Sequence, residues 1–87
     1  MTFQEAANKI ITEAGSPLPP NQVACIAFAE GLVKSRAKDP TRSFAETIKK
    51  NIRGRNYNKP ELCIFNTPQG KFIGLSNHKK VIAYKLF

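Results

Sequence analysis

The chain has 87 residues, 41% hydrophobic and 23% charged, which is ordinary globular usage in a length that holds one core and no second. Neither a disordered tail nor a membrane-spanning protein fits that composition. Fourteen Lys and Arg against six Asp and Glu give a net charge of +8, an attraction to polyanions that makes nucleic acid the first partner to consider.

Thr2 and Glu5 form a capping box, in which the hydroxyl accepts from the third helical amide and the carboxylate reaches back to the Thr amide. Behind it Phe3, Ala6, Ala7, Ile10, Ile11 and Ala14 recur at helical spacing, with Asn8, Lys9, Thr12 and Glu13 opposite, until Gly15-Ser16-Pro17 ends the first helix. The run Pro17-Leu18-Pro19-Pro20 is too stiff and too poor in N–H donors for regular structure. Asn21 is the expected N-cap of a second helix reaching about Glu30, with Val23, Ile26 and Ala27 on the period. Cys25, Phe28 and Ala29 widen its apolar surface, so burial on most sides is expected, and Gly31 closes it.

A basic connector, Lys34 to Lys38, leads to Asp39-Pro40, where Asp caps and Pro takes the first helical position. A third helix should run from there to about Arg53. Ser43 and Glu46 form an alternative capping box, and the earlier start is preferred. Phe44, Ala45, Ile48 and Ile52 make its inner stripe, while Arg42, Ser43, Glu46, Lys49, Lys50 and Arg53 collect on the far side. Gly54 to Pro60 has no periodicity and reads as a loop. Leu62 to Phe65 and Lys71 to Leu75 are β-prone runs joined by Asn66-Thr67-Pro68-Gln69-Gly70, a β-hairpin. The last run, Val81 to Phe87, reads equally as a third strand or a loosely held tail.

The charge is placed unevenly. Residues 1–33 hold one base and three acids, whereas residues 34–87 hold thirteen bases and three acids. Cys25 and Cys63 sit in apolar neighbourhoods and read as buried free thiols, and with His78 they fall short of a four-ligand zinc site, so no metal and no cofactor is expected. No Gly-rich phosphate loop or HExxH motif is present, and the basic half has too few acids for two-metal phosphodiester chemistry, which argues against an enzyme. The N-terminus offers no basic region followed by an apolar stretch, so an intracellular, non-membrane location is expected, nuclear in a eukaryote and cytoplasmic or nucleoid otherwise.

Three helices followed by a hairpin is the element order of an α+β winged helix, a helix-turn-helix variant that lays its third helix in the major groove. The basic face falls on that helix. Thr2-Phe3-x-Glu5-Ala6-Ala7, Glu30-Gly31-Leu32, Pro40-x-x-Ser43-Phe44 and Gly70-Lys71-Phe72-x-Gly74-Leu75 together resemble the HARE-HTH domain, a winged helix shared by Asx-like Polycomb proteins, the bacterial RNA polymerase delta subunit, chromatin remodellers and restriction endonucleases. The resemblance spans roughly residues 2–76 and implies DNA binding, with a role in sensing modified DNA or bringing effectors to chromatin. It departs at the basic Lys49–Lys59 region and beyond His78.

The expectation is therefore a winged-helix domain over residues 1–78, with a C-terminal strand or tail at 79–87. It would be a monomeric module that binds double-stranded DNA, mainly through phosphates, by Arg42, Ser43, Lys49, Lys50, Arg53, Arg55, Lys59 and Lys71. Phe3, Ile10, Ile11, Phe44, Ile48, Ile52, Phe65 and Phe72 are expected in the core, leaving Tyr57 as the exposed aromatic and His78, Lys79 and Lys80 as solvated residues. The competing reading is an adaptor that recruits a transcription or chromatin complex without touching DNA; a third, an RNA binder, would need a stacking platform.

Overall fold

The computed structural model describes residues 1–54, 58 and 60–75. Within them three helices, α1 (Phe3–Ala14), α2 (Pro20–Ala29) and α3 (Pro40–Gly54), precede an antiparallel hairpin of β1 (Cys63–Thr67) and β2 (Gly70–Gly74). The result is a small α+β fold. The C-terminal run beyond Leu75, with its strand-or-tail alternative, lies outside the described residues.

Helix starts follow local chemistry. The Thr2 hydroxyl accepts from the Glu5 amide at 3.1 Å, and the Thr2 amide donates to Glu5 Oε1 at 2.9 Å. Those hydrogen bonds, the backbone one foremost, hold the Glu5 carboxyl below the usual carboxylate range. Asp39 accepts from the Arg42 amide on Oδ1 at 3.1 Å and from the Ser43 amide on its carbonyl at 3.0 Å, so α3 takes the earlier start. The start of α2 corrects the expectation at Asn21. Pro20 is the first helical residue, Pro19 precedes it, and no side chain caps the end. A proline already holds helical φ and has no N–H to satisfy, so the helix begins two residues sooner than a cap at Asn21 would place it.

At the other end of α2, Leu32 donates to the Ala27 carbonyl at 2.9 Å and Gly31, at φ +69°, donates to that of Phe28 at 3.2 Å. This Schellman closure folds Leu32 and Val33 back onto the core. Cys25 is exposed, not buried. The inward face of α2 is Val23, Ala24 and Ala27, and Cys25 stands about 150° round the helix from its centre.

Each helix sends one phenylalanine to a common cluster. Phe44 of α3 is fully buried, 4.8 Å from Phe3 of α1 and 6.0 Å from Phe28 of α2 between ring centroids. Ile10, Ile11, Val23, Ile48, Leu62 and Ile73 complete the core, with Phe3 and Ile52 packed partly against it. Phe65 and Phe72 depart from the core expectation and are half-buried. They are partners across the hairpin, on the opposite face from the buried Ile73, because side chains alternate along a strand.

The strands run closer to the turn than expected. Thr67 pairs with Gly70, leaving only Pro68-Gln69 between them, and the Thr67 hydroxyl accepts from the Gln69 amide at 3.2 Å while donating to the Gly70 carbonyl at 2.8 Å. Leu18 corrects a further expectation. Its amide donates to the Ile73 carbonyl at 3.0 Å and its carbonyl accepts from the Ile73 amide at 2.8 Å, so the proline-rich segment contributes one ladder rung beside β2. Gly74 sits against that segment, and a Cβ there would come within 2.9 Å of Pro17 Cγ and 3.0 Å of Phe65 Cε2.

Ile48→Ala, which empties a fully buried site, should cost about 2–5 kcal/mol in denaturant unfolding. Gly74→Ala, a single added methyl, should cost roughly 1–3 kcal/mol by the same measurement, since a rigid proline ring blocks relaxation.

Candidate nucleic-acid interface

At about 100° per residue, Arg42, Glu46, Lys49, Lys50 and Arg53 fall within an arc roughly 100° wide on α3, facing away from Phe44, Ala45, Ile48 and Ile52. Burying the second set dictates exposure of the first. Arg42, Lys50 and Arg53 are exposed, and among the described residues none of the three makes an ion pair. Lys49 differs. Its side chain is only 23% exposed, and its Nζ lies 3.4 Å from Glu46 Oε1 one turn earlier. Ser43 is half-buried, one helical step round from Arg42 and at the margin of the basic arc.

Surface depressions join these side chains in series. One at the start of α3 brings Arg42 together with Asp39, Glu46 and Lys49. A second has Glu46, Lys49, Lys50 and Arg53 around it. A third, an open concavity of about 670 Å³ between the last turn of α3 and the hairpin, is lined by Arg53, Lys71 of β2 and Glu61 together with Ile52, Leu62 and Ile64. Lys49 belongs to the first two and Arg53 to the last two, so adjoining depressions link the bases of α3 to Lys71. The surface holds five bases and three acids, Asp39, Glu46 and Glu61. It is positive on balance and interrupted by carboxylates.

Five of the eight expected DNA-binding residues, Arg42, Lys49, Lys50, Arg53 and Lys71, are thus brought to one surface, with Ser43 at its margin. Arg55 and Lys59 lie outside the described residues, as do Tyr57, His78, Lys79 and Lys80.

Two further residues join the site without a sequence signal of their own. Asn66 is paired opposite Lys71, is exposed, and lines the third concavity. Counting Pro68-Gln69 as a two-residue turn would have aligned the pair. Asn58 lines the same concavity and is held from behind: Gln4 of α1, 3% exposed, donates through Nε2 to Asn58 Oδ1 and to the Pro60 carbonyl, the latter at 3.1 Å. Asn58 in turn exchanges hydrogen bonds of 3.1 Å with both backbone groups of Leu62. This buried amide latch ties the wall of the concavity to the first helix, while Gln4 Oε1 is buried without a hydrogen-bond partner among the described residues.

Among the described residues no three His, Cys, Asp or Glu side chains gather as a metal site would require, and no helix is long and apolar enough to cross a membrane. No protein-family model matches the chain, and neither the curated proteins nor the solved structures yield a match to it.

Gln4→Ala should cost about 1–3 kcal/mol, because it removes the part-buried hydrogen bonds from the Gln4 amide to the Asn58 side chain and the Pro60 carbonyl, leaving Asn58 held by Leu62 alone. Denaturant unfolding measures the loss, and faster hydrogen exchange at the Leu62 amide locates it.

Proposed function

We propose that the chain is a winged-helix module that binds double-stranded DNA, with α3 in the major groove and the hairpin as the wing beside it. The reading rests on one observation above all: adjoining depressions bring the bases of α3, through Arg53, to the same surface as Lys71 of the hairpin, where bases outnumber acids. A 15-residue helix is about 22 Å long and fits a groove about 12 Å wide, so its basic arc could meet phosphates on the groove's walls. Arg42, Lys50, Arg53 and Lys71 supply the phosphate contacts in this reading, and counterion release supplies most of the affinity. Lys49 contributes less, since Glu46 already competes for it. Arg55 and Lys59 belong to the contact set by their place in the sequence. The HARE-HTH resemblance points the same way and adds the proposal that modified DNA or chromatin is the setting.

The adaptor reading has one observation in its favour: Asp39, Glu46 and Glu61 lie within the same surface and would face a phosphate backbone. A protein partner could use both signs of charge. The duplex reading is preferred because the bases outnumber these acids and only Lys49 is paired among them.

Electrophoretic shift titrations over a range of salt, with plain duplex, methylated duplex and RNA of the same sequence, test the assignment. Replacing Lys50 and Arg53 together by Ala should weaken binding to every duplex and flatten the slope of log K against log salt by about 0.9 for each phosphate no longer neutralised. Both side chains are exposed, so the thermal unfolding of the double variant should match that of the parent. Unchanged duplex affinity in that variant would place the DNA-facing surface elsewhere.

A further inference from the structure

We propose that the outer edge of β1 is a docking edge for an extended, acidic segment of a partner protein, which adds to the sheet as a new strand between β1 and the last turn of α3. This inference concerns the backbone of the hairpin and does not rest on the DNA reading.

The register determines which backbone groups are free. Ile73 spends its N–H and its carbonyl on Leu18, on the side of β2 away from β1. Ile64, its partner in β1, therefore stands in a non-hydrogen-bonded pair, and its own N–H and carbonyl point away from β2. Two residues on, Asn66 opposite Lys71 repeats the geometry. Among the described residues no hydrogen bond is made by either residue's outward backbone groups. The edge so exposed borders the third concavity, where Ile64 and Asn66 face the last turn of α3.

Natural sheets guard such edges with charge, proline, bulges or a covering element. Cys63-Ile64-Phe65-Asn66-Thr67 has no charge, no proline and a regular register with β2. The chemistry of the edge selects its occupant. N–H donors alternate with carbonyl acceptors along it, and another extended backbone complements that alternation, whereas a phosphate, which only accepts, leaves the carbonyls unmet. Arg53 and Lys71 against the single Glu61 call for acidic side chains on that backbone. A second copy of the chain, itself at +8, is the wrong sign.

The test is an NMR titration of the whole chain with a capped heptapeptide of alternating valine and glutamate, in the absence of DNA. In the free protein the Ile64 and Asn66 amides should exchange with solvent much faster than those of Phe65 and Thr67. The peptide should slow both by about tenfold at saturation and shift resonances at Cys63–Thr67, Ile52 and Arg53. A peptide N-methylated at alternate amides should not bind. Asn66→Pro removes one outward donor that the hairpin does not use, so it should leave the helical resonances in place and weaken the peptide by about tenfold. Slow exchange at Ile64 and Asn66 in the free protein, absence of shifts at millimolar peptide, or equal binding by the N-methylated peptide would each overturn the proposal. Duplex binding measured separately reports on the DNA reading alone, so either reading can fail without the other.

Discussion

Pro17, Pro19 and Pro20 leave Leu18 as the only backbone donor in its four-residue run, and that donor is spent on Ile73. This reciprocal pair is the backbone tie that anchors the hairpin to the helical segment. It holds β2 against the segment between α1 and α2, helps bury Ile73 in the helical core, and brings Gly74 so close to Pro17 that an added Cβ would press on the ring. It also sets the parity of the ladder. With Ile73 turned toward Leu18, β1 must present Ile64 and Asn66 outward, toward α3. A slip of one residue would send Ile73 to solvent and reverse every side chain of the hairpin, which is why a single pair can specify so much.

Helix α3 carries the complementary constraint. Phe44 locks it to α1 and α2 through the three-ring cluster, and Ile48 and Ile52 continue the packing along its length. Once that face is buried, helical geometry leaves Arg42, Lys50 and Arg53 no place but solvent. The separation of charge and core on α3 is thus one fact with two consequences, a stable helix and a cationic surface. Gln4 extends the arrangement by fixing Asn58, and through it Leu62, in the lining of the concavity between α3 and the hairpin.

What could be read from the sequence follows from the range of the forces involved. The Thr2–Glu5 box, the Asp39 cap and the Gly31 closure are decided within a few residues, and their positions were legible. So was the basic arc of α3, because a 3.6-residue period needs no tertiary knowledge. Asn21 misled because two rules compete within two residues, and the preset φ of Pro20 wins over a side-chain cap. Cys25 misled because a short helix that is apolar nearly all round gives no contrast from which to choose the inward side. The rung at Leu18, the half-burial of Phe65 and Phe72, and the meeting of Arg53 with Lys71 depend on partners distant in the chain. Composition carries no trace of those. Asn66 and the Gln4–Asn58 latch were invisible for the same reason, being uncharged polar residues whose meaning comes only from what stands opposite them.

The surface beside α3 offers two kinds of complementarity that differ in reach. Its ammonium and guanidinium groups act over a Debye length of about 8–10 Å and tolerate misplacement, so they suit a repetitive polyanion approached from solution. The edge of β1 acts only at hydrogen-bond distance and demands one register, so it suits a specific extended chain. Arg53 and Lys71 stand at the boundary and would serve either occupant. A duplex settled on α3 and the hairpin would draw both cations to phosphate, and a strand added to β1 would draw them to its carboxylates. The same two charges cannot be neutralised twice, so the two proposed occupancies would oppose each other through linkage, each lowering the affinity for the other by the same factor. That reciprocity would be a consequence of where the hairpin sits, and hence in part of the rung between Leu18 and Ile73.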